Sequence, residues 1–187
     1  MELQGDRLIP ATLDKTWAAL NDPDTLKACI AGCESLERTG DDAFAAVVAV
    51  KVGPVSARFK GNLKMTNVVA PTSYTINFDG QGGVAGFGKG SADVALTAEG
   101  MSTRLKYTAK AQVGGKMAQV GSRLIDAAAS KVAEDFFKAF EEHLRPAEAA
   151  AAPAEPAAVP AVAGGNKTLW WVVVAAVVLL LIYLLMR

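Results

Sequence analysis

The run Leu169–Met186, LWWVVVAAVVLLLIYLLM, constrains this chain most. It holds 18 residues without a charge, a glycine or a proline. As a helix rising 1.5 Å per residue it would be about 27 Å long, close to the hydrocarbon thickness of a bilayer. A helix that is apolar on every side has no face to turn toward water. Leu169, Trp170 and Trp171 open the run, Tyr183 lies near its other end, and Lys167 and Arg187 flank it. Amphipathic rings and cations favour the headgroup level. The expectation is a single-pass C-terminal tail anchor over residues 168–187, a transmembrane helix in the cytoplasmic membrane. The N-terminal MELQGDRLIP carries acids and no long apolar run, so it does not read as a secretory signal. The folded part is therefore expected in the cytoplasm.

Residues 146–167 form a second compositional unit, rich in alanine and proline. Pro146, Pro153, Pro156 and Pro160 exclude a continuous helix. Such a linker is a semi-extended spacer whose full reach is about 70 Å. Residues 1–145 remain for one folded domain, a length that supports a single core. Net charge is zero, which argues against a nucleic-acid partner. Cys29 and Cys33 are the two cysteines and His143 the one histidine. They are too few for a four-ligand zinc site without help from carboxylates or water. The cysteines read either as small side chains packed near a helix end or as a reactive thiol pair.

The hydrophobic period changes twice along the domain. Leu3 and Leu8–Ile9 allow a first strand, stopped by Pro10. Asp14–Leu20 and Asp22–Ile30 read as two short helices, with Asp14 and Asp22 as caps. From Ser35 the period is two. Ala57, Phe59, Gly61, Leu63 and Met65 alternate with Arg58, Lys60, Asn62, Lys64 and Thr66, the pattern of a strand with one wet face. Similar alternation follows Tyr74, Ala92 and Leu105, with turns between. At Gly114-Gly115 the period becomes helical. Val120, Leu124, Ala128, Val132, Phe136 and Phe140 predict one helix from Lys116 to Leu144. Its apolar stripe has only the sheet to cover. The class is α+β: a curved antiparallel sheet around a long C-terminal helix, which is a helix-grip plan.

A curved sheet and a straight helix cannot touch along their whole length, so an apolar cavity is expected between them. The candidate lining is Val50, Val52, Phe59, Leu63, Ile76, Phe78, Val94 and Tyr107 from the sheet, with Met117, Val120 and Leu124 from the helix. The competing reading is a filled core, but Gly61, Gly90, Ala92, Ala109 and Ala111 on the same face leave room. GQGGVAGFGKG is not a phosphate-binding loop, because no Gly-Lys-Ser/Thr opens a helix there. It reads as a sharp hairpin, as a gate with Phe87 at its tip, or as both. Gln119, Arg123 and Tyr107 are candidate hydrogen-bond partners for a polar ligand head near the mouth. No nucleophile–base set stands out, so no catalytic residue and no metal site are expected.

Four stretches carry a family resemblance. They are Cys29-Ile30-Ala31-Gly32-Cys33-Glu34; Val52-Gly53-Pro54-Val55 with Phe59-Lys60-Gly61; Gly86-Phe87-Gly88 through Ala92; and Gly114 to Arg123, GGKMAQVGSR. With these the domain resembles the G-subunit family of carbon monoxide dehydrogenase, within the START/Bet v 1-like (SRPBCC) superfamily. Ala31 departs from the proline common there before Gly-Cys. The resemblance implies a non-catalytic protein that recruits a molybdenum-containing carbon monoxide dehydrogenase, or a related molybdenum hydroxylase, to the membrane. Joined to the expected cavity, it suggests a bound respiratory quinone, ubiquinone or menaquinone, with no covalent cofactor. The alternatives are a pure membrane adaptor and a cavity enzyme of the cyclase or hydrolase type.

Overall fold

The computed structural model describes residues 1–145. The expected linker over 146–167 and the anchor residues Leu169, Trp170, Trp171 and Tyr183 lie outside the described residues. Among those described, no helix is long and apolar enough to cross a membrane.

Seven strands form one antiparallel sheet in the order β1-β7-β6-β5-β4-β3-β2. They are β1 (Glu2–Ile9), β2 (Cys33–Gly40), β3 (Ala43–Val52), β4 (Val55–Val69), β5 (Ser73–Gln81), β6 (Phe87–Glu99) and β7 (Ser102–Gly114). Helices α1 (Leu13–Leu20) and α2 (Pro23–Cys29) fill the connection from β1 to β2, and α3 (Ser122–Leu144) closes the domain. β2 to β7 are a meander, because short turns allow only antiparallel neighbours. β1 then pairs with β7, Gly5 facing Tyr107 and Leu3 facing Ala109. Strands as long as β4, with 15 residues, accumulate twist and curl the sheet around the helix.

Alternation decides the two faces. Phe44, Met65, Tyr74, Leu96, Leu105 and Ile9 point inward and are buried. The outer face is polar, and Arg104 there reaches both Asp6 at 2.9 Å and Glu99 at 2.6 Å. The closed end of the core is built on Ile9, Leu105 and Phe140, each almost fully buried. Beside them the Thr103 hydroxyl donates to the Ala11 carbonyl at 2.8 Å. Thr16 donates to the same oxygen at 3.4 Å, which ties α1 to β7. Asp22 caps α2, accepting from the Thr25 amide at 2.9 Å and from its hydroxyl at 2.6 Å. Pro23 occupies the position next to the cap, where its missing N–H costs nothing.

Three expectations need correction. Asp14 does not cap α1; Thr12 holds the cap position and makes no side-chain bond. The helix expected from Lys116 to Leu144 is broken: Gly115–Val120 is a 3-10 segment, and Gly121 has φ 96° before α3 begins. That dihedral suits glycine and ends the first helical turn in a bend. The glycine-rich stretch is the expected sharp hairpin, between β5 and β6, but Phe87 is not its tip, since β5 runs to Gln81 and β6 starts at Phe87. Only Gly82–Gly86 loops between them, so Phe87 is a strand residue and Val84, 86% exposed, is the loop's apolar tip.

Candidate functional site

The second half of α3 grips the sheet through aromatic rings. Phe137 stacks on Tyr107 with centroids 5.1 Å apart, and Phe136 lies 5.6 Å from Phe140. Gly5 on β1 permits this, because any Cβ there would enter the Tyr107 ring. The Arg7 guanidinium sits 5.7 Å over Phe137 on its open side. The first half of α3 is different. Leu124 is 48% and Val132 50% exposed, and the facing strand residues Val50, Phe59, Phe78 and Ala111 are only half-buried. The helix therefore closes one end of the sheet and leaves the other end partly open.

Between these regions lies an apolar cavity of about 250 Å³. Leu63 and Met65 (β4), Tyr74 and Ile76 (β5), Ala92 and Val94 (β6) and Leu105 and Tyr107 (β7) form its floor. Leu20, Leu26 and Ile30 from the two short helices, Leu36 and Phe44 from β2 and β3, and Phe136 and Phe137 from α3 complete it. No carboxylate, imidazole, thiol or amine lines it. The only polar side-chain atoms in the lining are the two phenol oxygens. Burial pushes the Tyr74 phenol well above its usual range, so it stays a neutral hydroxyl. This arrangement can bind an apolar molecule and offer it the Tyr74 hydroxyl, whereas the Tyr107 hydroxyl lies over Gly5 of β1.

Among the residues expected from sequence, Leu63, Ile76, Val94 and Tyr107 line this cavity. Val50, Phe59 and Phe78 lie on the same face toward the glycine-rich end, outside the lining. Phe59 covers Gly82 and Phe78 covers Gly90. Val52 and Met117 are buried and plug that end. Phe87 lines a separate open groove of about 580 Å³ with Met1, Ala111, Val113 and Ile125. Val120 is half-buried, and Leu124 rests on Gly53. Gln119 and Arg123 are exposed and outside the cavity lining, so of the three head-group candidates only Tyr107 faces the cavity. Sequence reasoning missed Tyr74, Phe136 and Phe137. Tyr74 shares the alternation of Ile76 and Phe78, which is the signal that could have found it.

Elsewhere the polar clusters are small. The Thr25 hydroxyl lies 3.4 Å from His143 Nε2, joining α2 to the end of α3. Cys29 and Cys33 are free, and burial raises both thiols above their ordinary pKa. That is opposite to the shift that makes a thiol reactive. Among the described residues, no three His, Cys, Asp or Glu side chains gather as metal ligands.

A curved seven-stranded sheet closed by a C-terminal helix over an apolar cavity is the START/Bet v 1-like fold. A START superfamily protein from Mycobacterium smegmatis shares it with TM-score 0.58 and 15% identity, over 76% of this chain and 96% of that one. The Zhui aromatase/cyclase from Streptomyces sp. R1128 shares it with TM-score 0.56 and 11% identity, over 77% and 93%. These two likenesses concern the fold alone. A conserved protein from Geobacillus kaustophilus is 31% identical with TM-score 0.72, over 77% of this chain and 95% of that one. The chain belongs to the carbon monoxide dehydrogenase G-subunit (CoxG) family, whose sequence profile matches residues 5–145. Comparison with curated proteins finds no match. The family's name connects the protein with carbon monoxide dehydrogenase.

Proposed function

We propose that the protein recruits a molybdenum-containing carbon monoxide dehydrogenase to the cytoplasmic membrane and carries a respiratory quinone, ubiquinone or menaquinone, between the lipid and that enzyme. The observation that carries this reading is the cavity, whose described lining is apolar apart from the phenols of Tyr74 and Tyr107. Electrons from such an oxidation have to reach a lipid-soluble acceptor. A domain tethered by residues 168–187 through the 146–167 linker stays near both lipid and enzyme, which raises the effective concentration of each. The cavity is slightly smaller than the roughly 300–1,000 Å³ of common small-molecule pockets. It suits a ring-sized head, with an isoprenoid tail passing toward the half-open end. The protein is not itself an enzyme on this reading. The aromatase/cyclase shares the fold alone, and among the described residues no carboxylate, imidazole, thiol or amine lines this cavity.

The modest cavity volume also favours a second reading, a pure adaptor whose interior is incidental. Ala92→Trp separates the two, because Ala92 lines the cavity and an indole there would fill it. The carrier reading expects the variant to recruit the dehydrogenase to membranes while losing co-purified quinone and electron transfer to the quinone pool. Undiminished electron transfer in a variant shown to be filled would leave the adaptor. Deleting residues 146–187 should abolish recruitment under either reading.

A further inference from the structure

We propose that Tyr74 is the polar anchor of the cavity and that the ligand enters oxygen-first, its acceptor oxygen hydrogen-bonded by the Tyr74 hydroxyl. This rests on the carrier reading and specifies its ligand: a ring ketone of the quinone type, with the apolar tail directed toward the half-open end.

The argument starts from burial. Tyr74 is 4% exposed, and its ring packs edge-on against Trp17 with centroids 5.5 Å apart. A buried phenol ordinarily finds a hydrogen-bond partner. Tyr74 has none among the described residues, and burial alone accounts for the raised pKa of its hydroxyl. Among the same residues no side-chain oxygen or nitrogen is both sealed from solvent-sized space and unpartnered. The Tyr74 oxygen therefore borders open space, and the space its residue lines on the inner face is the apolar cavity.

Position in the sheet supplies the orientation. Tyr74 pairs with Val94, and Val94 pairs with Tyr107, so both phenols stand in one cross-strand row. Tyr74 belongs to the packed cluster of Leu36, Phe44 and Met65. The exposed mouth residues Gln119 and Arg123 are not in the lining. The hydrogen-bonding capacity of the cavity is thus at its packed end, and a hydrocarbon chain seated there would leave a hydroxyl unsatisfied. A neutral hydroxyl both donates and accepts, so it serves a ring carbonyl and the corresponding ring hydroxyl alike.

The test uses two probes with one carbon skeleton, 2-methyl-1,4-naphthoquinone and 2-methylnaphthalene, titrated calorimetrically into the full-length protein in detergent. Detergent micelles alone serve as the blank. Tyr74→Phe removes one oxygen and keeps the ring against Trp17. The expected result is a loss of about 5–10-fold in quinone affinity, the loss of one hydrogen bond, with hydrocarbon affinity unchanged. The melting temperature should hold or rise, because the hydroxyl has no partner among the described residues to lose. A downshift of the bound quinone's carbonyl stretch in the native protein should vanish in the variant. Equal weakening of both probes, no weakening of either, or a clearly lowered melting temperature overturns the anchor while the carrier reading stands. If the native protein binds neither probe, or Ala92→Trp leaves quinone binding intact, the cavity is not the site and both fall.

Discussion

At the scale of single residues, the domain depends on a few polar atoms placed where water is excluded. Thr103 is fully buried, and its hydroxyl serves the Ala11 carbonyl at 2.8 Å. Thr103→Val keeps the shape and removes the donor. It should lower stability by about 1–2 kcal/mol, seen as a fall of a few degrees in melting temperature. Tyr74 is the contrasting case, a buried hydroxyl without a hydrogen-bond partner among the described residues. Both residues were visible as inward positions in alternating strands. Their opposite roles were not visible, because a hydrogen-bond partner is set by which distant backbone atom arrives beside the side chain. Thr103 meets a carbonyl 92 positions away in sequence. Gln119 and Arg123 show the reverse. Their chemistry suits a ligand head, but the bend at Gly121 leaves both exposed outside the cavity lining.

At the scale of elements, α3 is held unevenly. Phe137 and Phe140 are buried, whereas Leu124 and Val132 are about half exposed. Phe137→Ala should cost about 3–5 kcal/mol, and Val132→Ala less than about 0.5 kcal/mol, in denaturant titrations. Hydrogen exchange should show the same gradient, with amides 125–131 less protected than amides 135–143. The helix's existence was legible from its period, but its buried stripe was misplaced. Val120, Leu124, Ala128 and Val132 follow one another at four-residue steps, and each such step overshoots a full turn by about 40°. The four steps from Leu124 to Phe140 rotate the row by about 160°, so Leu124 and Val132 are exposed while Ile125, Ala128, Ala129 and Ala133 are half-buried in the first half. α2 depends on Asp22, whose carboxyl the Thr25 hydroxyl and amide hold below its ordinary pKa. A depressed carboxylate contributes stability above its unfolded pKa and loses it as pH falls through the folded value. Asp22→Ala should therefore destabilise by about 1 kcal/mol at pH 7. The gap between variant and native protein should shrink below about pH 4, in parallel thermal melts.

At the scale of the whole molecule, the described residues build one continuous seven-stranded sheet, and the cavity is a property of the assembled domain. Its lining draws on both short helices, six of the strands and α3. The Ala92→Trp and truncation variants therefore test function at this scale, separating what the interior does from what the tether does. The alternation of apolar and polar residues determined by itself that residues 43–113 form antiparallel strands with one wet face, since period two permits little else. The switch of period after Gly115 likewise determined a closing helix, and the motifs between Cys29 and Arg123 marked the family. Only the tertiary structure decided how much room remains inside. Sheet curvature, the break at Gly121 and the stacking of Phe137 on Tyr107 set the gap between helix and sheet. A gap is the difference between two large packed volumes contributed by residues far apart in sequence. No local pattern encodes that difference, so the size of the cavity and the place of Tyr74 in its lining appear only when the chain is folded.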